Sequence, residues 1–206
     1  MSMLDDDKST VGADKALARL MEGNARFLQR QSRITHTSPE VLADLSKGQR
    51  PFATILGCSD SRVPPELLFD AGFGELFIIR LAGNVVLPGV GGSIQYAYTH
   101  LGTQLFMVLG HENCGAVAAA LASKFAGAQE RSRIEYLLQN ILPGLDGIDP
   151  QLPPRQQLAC AVEANVRWGM RQLLDTPEGR ARVAEGRVKL VGAVCEIETG
   201  RVRLLP

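Results

Sequence analysis

The feature that most constrains the fold is a pattern that repeats along the chain: a short apolar run, a glycine-containing turn, and then a helical segment. Three of the four runs are apolar on both alternating faces, which is typical of strands covered by helices on both sides. Because the intervals between the runs are long enough for crossover helices, the strands are predicted to be parallel. The four runs are Phe52–Gly57, Glu75–Leu81, Gln104–Gly110 and Val188–Glu196.

Helical patterns fill the intervals between these runs, and a turn follows the last of them. The segment Glu198–Val202 reads as a turn before a final short apolar piece, which predicts an antiparallel edge hairpin. We therefore predict an α/β fold with a mostly parallel four-stranded central sheet, flanking helices and a C-terminal antiparallel edge strand. The predicted helices are Pro64–Asp70, Ser93–Leu101, Ala116–Phe125, Arg131–Asn140, Leu158–Thr176 and Pro177–Glu185.

The N-terminal part has a different character. Apolar residues between Ala13 and Gln31 recur at a spacing that places them on one face of an amphipathic helix. After a polar stretch, Ser38 is placed to cap a short helix that ends near Lys47. We therefore treat residues 1–206 as a single domain with an N-terminal helical arm, residues 1–47, and an α/β body, residues 48–206.

Composition excludes several classes of protein. The chain has 206 residues, and its 22 Lys and Arg balance its 22 Asp and Glu, so its formal net charge is zero. A general nucleic-acid-binding protein needs an excess of basic residues to bind phosphates, so this class is disfavoured. Its longest apolar runs fall far short of the roughly 18 residues that a membrane span needs. The N-terminus lacks a basic region followed by an apolar region, so we read no secretory signal and expect a cytoplasmic protein.

Two segments that follow predicted strands carry the residues suited to chemistry. Cys58 comes directly after the first run, while His111 and Cys114 follow the third. Ligands bind at the carboxyl ends of strands in open α/β sheets, so these three side chains are expected to converge. Two Cys and one His leave a fourth position open, as in catalytic zinc sites, and thiolates favour Zn²⁺ over Mg²⁺ or Ca²⁺. Taken one at a time, each would instead be an ordinary buried residue.

Asp60 and Arg62 lie in the same loop as Cys58 and suit a charge-assisted pair. The pair is either a structural salt bridge or a functional one, in which Arg62 keeps Asp60 ionised. In the functional case, Asp60 either accepts a hydrogen bond from metal-bound water or binds the metal itself. The other two cysteines, Cys160 and Cys195, have no His or Cys at chelating spacing, so we predict that both are packed in the core.

Four motifs occur in a particular order: CSDSRVPPELLFD, IIRLAGNVV, GGSIQYAYTHLG and VLGHENCGAV. In order and separation they closely resemble the β-class carbonic anhydrases over about residues 48 to 126, with weaker similarity in GNARF and in the segment 196–200. The resemblance implies that Cys58, His111 and Cys114 bind one Zn²⁺ per subunit. It also implies that Asp60 and Arg62 form a catalytic dyad, and it leaves open whether Asp60 becomes a fourth zinc ligand in a closed state.

The resemblance extends to a substrate pocket of the open, permanently active type. Gln49, nine residues before the first Cys, stands where that type has a donor to the substrate. Phe77 and Tyr96 match two aromatic pocket residues that reach over the dimer interface in the family, although on residue type alone they would equally be core residues. Gly115 matches a backbone contact near the metal.

One departure from the family concerns regulation by bicarbonate. Members with a regulatory bicarbonate site use a Trp three residues before the first Cys, together with an Arg. This chain keeps the Arg, as Arg80, but has Ile55 at the Trp position. We therefore expect no bicarbonate regulation.

The function implied is that of a lyase: reversible hydration of CO₂ to bicarbonate and a proton by zinc-bound hydroxide. His36 and His100 are weak candidates for a proton shuttle. The family forms dimers or tetramers in which the N-terminal helix lies across a neighbouring subunit, although this helix can equally pack on its own domain. Three alternatives stay open: hydrolysis of COS or CS₂, a zinc-thiolate redox sensor, and nucleotide binding by the glycines of Gly89–Ser93, which lack the full motif.

Overall fold

The computed structural model describes residues 11–34 and 38–206, and its centre is a five-stranded sheet in the order β2-β1-β3-β4-β5. Strands β1 to β4 are parallel, and β5 pairs antiparallel with β4. The strands are β1 (Ala53–Gly57), β2 (Leu76–Arg80), β3 (Leu105–His111), β4 (Lys189–Cys195) and β5 (Val202–Leu204). The α/β fold predicted from the sequence, with its antiparallel C-terminal edge, is confirmed.

Helices lie on both faces of this sheet. They are α1 (Ala13–Leu28), α2 (Pro39–Leu45), α3 (Pro65–Leu68), α4 (Pro88–Leu101), α5 (Gly115–Ala126), α6 (Ser132–Gln139), α7 (Pro154–Leu174) and α8 (Pro177–Ala184). Short 3₁₀ helices occupy Ala82–Asn84 and Leu142–Leu145. As predicted, Ser38 caps α2, because its side chain accepts a hydrogen bond from the backbone N–H of Val41.

The central strands β1 and β3 are buried along their whole length. On one face of the sheet, Leu20 of α1 belongs to the same apolar cluster as Ile55 and Met107. On the other face, Val166 of α7 clusters with Val108. Burial on both faces explains the continuous apolar runs that the sequence shows in these strands.

Helix α1 packs against the body of its own chain. The buried side chain of Asn24 donates to the carbonyl oxygens of Leu68 at 3.0 Å and Gly200 at 2.9 Å, and it accepts from the N–H of Val202 at 2.9 Å. A Cβ at Gly23 would lie 1.9 Å from the carbonyl oxygen of Phe69, so this close contact requires glycine. The described part of the segment treated above as an arm therefore contributes to the core of the body.

Helix α4 begins at Pro88, five residues before the predicted start at Ser93. The glycines of Gly89–Ser93 therefore lie inside the first turns of a helix. They do not form the loop that would present backbone N–H groups to a nucleotide phosphate, so the structure gives no support to the nucleotide-binding alternative.

Across residues 11–34 and 38–206, no helix combines the length and the apolar character needed to cross a bilayer.

Candidate metal centre

Three donor side chains meet at the carboxyl end of the sheet. Cys58 follows β1, His111 is the last residue of β3, and Cys114 is the N-cap of α5. Strands β1 and β3 are adjacent and parallel, so their carboxyl ends lie side by side. The ligand atoms of the three residues all lie within 4.8 Å of one another, and all three residues are buried. The convergence predicted from the sequence is therefore observed.

The ring of His111 has one nitrogen engaged and one available. Its Nδ1 lies 2.9 Å from the carbonyl oxygen of Glu112, and since that oxygen can only accept, Nδ1 carries the hydrogen. Nε2 is buried and has no hydrogen-bond partner among the described residues. A buried lone pair next to two thiols is the arrangement that a metal ligand requires, and the nitrogen and sulfur donors suit zinc.

The two thiols have opposite pKa shifts. A hydrogen bond from Cys114 lowers the pKa of Cys58 to about 4, with further contributions from His111 and from backbone N–H groups, and these outweigh the effect of burial. The same contact with Cys58, together with burial, raises the pKa of Cys114 well above its usual value. Without a cation the pair therefore loses one proton readily and resists losing the second. A divalent metal offsets the repulsion between two thiolates.

Backbone turns fix the positions of both sulfurs. Gly83 has a left-handed backbone with φ of 68°, and its N–H donates to the Sγ of Cys58 at 3.3 Å. A Cβ there would lie 2.7 Å from the side chain of Ile141, so the position needs glycine. Asn113, with φ of 53°, turns the chain so that Cys114 caps α5.

The Asp60 carboxylate is held by Arg62 through both of its oxygens. Oδ1 accepts from the backbone N–H of Arg62 at 3.0 Å and from its Nε at 2.9 Å, and Oδ2 accepts from Nη2 at 2.7 Å. These hydrogen bonds hold the pKa of Asp60 far below its usual range, so the group is ionised. Arg62 also donates to the carbonyl oxygen of Asn113, and Oδ2 of Asp60 lies 3.8 Å from Nε2 of His111. The dyad therefore adjoins the donor cluster.

Arg80 contributes to the site in a way that the sequence analysis missed. Its Nε donates to the carbonyl oxygen of Cys58 at 2.8 Å, and its Nη2 donates to that of Asp60 at 2.5 Å. The side chain therefore fixes the loop that carries both residues. The sequence did hold one indication of this role: Arg80 lies near the end of the predicted strand next to β1. In the structure it faces Gly57, the residue before Cys58. Ile55, at the position discussed above for regulation by bicarbonate, is buried in the core.

The predicted pocket residues form a group of their own. The rings of Phe77 and Tyr96 lie 6.2 Å apart, and Tyr96 lies 4.9 Å from the ring of His100. Gln49, Tyr96 and His100 line one surface groove. His36, the other shuttle candidate, lies outside the described residues.

This group lies away from the donor cluster of the same chain. Phe77 faces Thr54 in register, whereas Arg80 faces Gly57, next to Cys58. Three residues of strand correspond to about 10 Å, so Phe77 lies well back from the carboxyl edge. Gly115 is the one predicted pocket residue beside the cluster. A Cβ there would meet no atom within 4 Å, so open space adjoins Cys114.

The remaining cysteines differ from each other. Cys195 is buried as predicted, and burial raises its pKa to about 12, with the nearby charges of Glu112 and Glu196 adding to the effect. The prediction for Cys160 is wrong, because it is exposed. Helix α7 buries Ala161 and the residues that follow at helical spacing, whereas position 160 lies on its solvent side.

Comparison with known proteins identifies the family. The sequence model of the carbonic anhydrase family matches residues 53–202. Carbonic anhydrase 2 of Mycobacterium tuberculosis is 38% identical over 199 residues, covering 94% of this chain and 92% of the relative. The solved β-carbonic anhydrase CcaA superposes with a TM-score of 0.76 at 29% identity, covering 92% of this chain and 95% of that one.

The chain belongs to the β-class carbonic anhydrases. Accordingly, this β-carbonic anhydrase is an enzyme that catalyses the zinc-dependent, reversible hydration of CO₂ to bicarbonate and a proton. The fold also matches a chain from a structure of two tetrameric β-carbonic anhydrases of Sordaria macrospora, with a TM-score of 0.70 at 24% identity, covering 92% of this chain and 96% of that one.

Proposed function

We propose that Cys58, His111 and Cys114 would hold the catalytic zinc of this enzyme. The observation that carries the proposal is the buried cluster of three donors within 4.8 Å, in which Nε2 of His111 has no partner among the described residues. Zinc in such a site supplies a water of lowered pKa, about 7 in the carbonic anhydrases that have three histidine ligands. Two thiolate ligands make the metal less electrophilic, so neighbouring groups have more to contribute.

Asp60 and Arg62 are proposed to orient the nucleophile. The ionised Asp60 would accept a hydrogen bond from the nucleophilic water and fix its direction, while Arg62 keeps the carboxylate charged and in place. Support comes from the hydrogen bonds of Arg62 to both carboxylate oxygens. These bonds favour the open arrangement, in which Asp60 does not bind the metal.

The substrate pocket is proposed to be completed by a second copy of the chain. Gln49, Phe77 and Tyr96 group together but lie away from their own donor cluster, so they suit the cluster of a partner. Phe77 supplies an apolar wall for neutral CO₂, and Gln49 donates to the negative charge that develops as bicarbonate forms. The backbone of Gly115 lines the near side. The basic unit would then be a dimer, and two dimers would give a tetramer like those of Sordaria macrospora.

We also propose that residues 1–206 form a single domain and that the enzyme works in the cytoplasm. The shared core of α1 and the sheet favours one domain. The buried free thiols of Cys58, Cys114 and Cys195 suit a reducing compartment.

Two cysteine variants test the zinc site. Cys114→Ser removes a proposed ligand, whereas Cys160→Ser changes an exposed thiol and serves as the matched control. We expect Cys114→Ser to lose most of its zinc and nearly all CO₂ hydration, while Cys160→Ser keeps both. Zinc is measured by plasma mass spectrometry and hydration by stopped flow. Full activity without zinc in Cys114→Ser would overturn the assignment.

A further inference from the structure

A cavity of about 350 Å³ lies between α4 and α8, at the end of the sheet opposite the donor cluster. Its floor is formed by the first residues of β3 and β4 and by the end of α7, and α8 covers one side. Its lining includes Ile94, Tyr98, Phe106, Leu174, Arg182 and Leu190.

The cavity is separate from the zinc site. Phe106 and Leu190, which line it, face each other in register near the start of β3 and β4. His111 and Cys195 face each other at the far end of the same pair, five residues further along. Five residues of parallel strand span about 17 Å, so a ligand in the cavity does not touch the metal.

Most of the lining is apolar, and among the lining residues that the structure describes Arg182 is the one cation. The guanidinium carbon of Arg182 lies 4.7 Å from the ring centre of Tyr98, where the aromatic face holds it. The carboxylate of Glu185 is 3.7 Å from Nη1 of Arg182 and therefore beyond hydrogen-bond distance. Glu185 also pairs with Arg187 at 3.3 Å, so two guanidinium groups share one carboxylate. Glu185 therefore does not neutralise Arg182 by a direct hydrogen bond, and the Arg182 guanidinium has donors for an anionic ligand.

We propose that this cavity binds an aliphatic monocarboxylate of medium chain length. The hydrocarbon chain would pack against Phe106, Leu174 and Leu190, and the carboxylate would accept hydrogen bonds from Arg182. The volume lies at the lower end of the range for small-molecule sites, about 300 to 1,000 Å³. The Arg182 guanidinium beside an apolar cavity is complementary to a ligand with one negative charge and an apolar body.

Binding is tested by calorimetry on the zinc-loaded enzyme with octanoate as the probe and 1-octanol as its uncharged analogue. We expect saturable binding of one octanoate per chain and much weaker binding of octanol. Arg182→Gln should weaken octanoate binding about tenfold or more, because a charge-assisted hydrogen bond is lost. Arg180→Gln is the matched control, since Arg180 lies on the same helix near Asp175 and is not among the lining residues; it should change affinity less than about twofold.

A second variant tests the chamber without changing charge. A Cβ at Gly91, which lines the cavity, meets no atom within 4 Å, so Gly91→Leu can fill the space within α4. It should abolish octanoate binding and preserve the circular dichroism spectrum. The proposal is overturned if octanoate gives no saturable heat. This holds also where the cause is a second copy of the chain that covers the cavity. The proposal is equally overturned if Arg182→Gln binds as tightly as the wild type. Neither readout depends on CO₂ hydration, so failure here leaves the zinc assignment untouched.

Discussion

The position of Asp60 is set by three independent contacts around one loop. Arg62 holds its carboxylate, Arg80 holds its carbonyl oxygen, and the N–H of Ser59 donates to the carbonyl oxygen of Leu81. The side chain is therefore held in place before substrate arrives, as the role proposed for Asp60 in orienting the nucleophile requires.

Asp60→Asn is expected to keep the zinc and to lower kcat/KM for CO₂ about a hundredfold. An amide has the same shape, but it loses the negative charge and half of the accepting capacity. Stopped-flow hydration together with zinc analysis checks this, and Asp146→Asn, an exposed carboxylate paired with Lys124, is the control. An unchanged rate in Asp60→Asn would remove the residue from the mechanism.

Residue-scale prediction succeeded where spacing along the chain was sufficient. Cys58, His111 and Cys114 could be grouped because each lies at or just after the carboxyl end of a strand, and parallel strands bring these ends together. The contribution of Gly83 was missed, since it depends on a left-handed turn that approaches both Ile141 and a sulfur. Arg80 was noticed only for its family position, because its contacts with two carbonyl oxygens depend on the register of β1 and β2.

At the scale of elements, Asp70 joins the end of α1 to the segment after α3. Its side chain is fully buried and accepts from Nε of Arg26 at 2.6 Å, from the hydroxyl of Ser32 at 2.6 Å and from the N–H groups of Arg33 and Ile34. Burial alone would raise the pKa of Asp70, but these hydrogen bonds outweigh it and hold the pKa below its ordinary value. The carboxylate therefore stabilises the packing of α1.

Asp70→Asn is expected to lower the free energy of unfolding by about 3 kcal/mol at pH 7, because one partner of a buried ion pair is removed. The folded-state pKa lies below the unfolded value of about 4, so this stabilisation is complete above that pH and is lost as the pH falls through the folded value. The difference between wild type and variant should therefore shrink in acid.

Urea titrations at several pH values, with circular dichroism as the signal, measure both effects. Asp44→Asn, in an exposed pair with Lys47, is the matched control and should cost less than about 0.5 kcal/mol. A difference between wild type and Asp70→Asn that stays constant down to pH 2 would contradict the assigned role.

Element boundaries were predicted best for the strands. Each of the four parallel strands lies within about a residue of its predicted ends, because its apolar run is bounded by polar or turn residues. The start of α4 was missed, since glycines are poor helix formers and only the packing of Val90 shows that they continue the helix. The packing of α1 on its own chain could have been inferred from two neighbouring residues. Gly23 has no side chain and lets another backbone approach the helix, and the polar side chain of Asn24 can hydrogen-bond to that backbone.

At the scale of the whole molecule, the active site is expected to need two chains. Mixing the Cys114→Ser and Gln49→Ala variants tests this. The first variant lacks a zinc ligand in every site, and the second lacks the Gln49 side chain in every site. In a mixed dimer, the zinc cluster of one chain meets Gln49 of the other, so an equal mixture should recover about a quarter of wild-type activity. Stopped-flow hydration after co-refolding is the measurement. No recovery would mean that one chain supplies the complete pocket.

Assembly was the part least accessible from the sequence. An apolar or aromatic residue such as Tyr96 has the same pattern whether it fills its own core or the site of a partner. In the structure Tyr96 is 48% exposed, which excludes a place in the core and leaves a contact between chains as the explanation that we propose.

The most direct test of the account is X-ray absorption spectroscopy at the zinc edge of the purified enzyme. Ligation by Cys58, His111 and Cys114 predicts two sulfur scatterers at about 2.3 Å, one nitrogen at about 2.0 Å and one further light atom. A first shell with four sulfurs, or with none, would contradict the proposed centre.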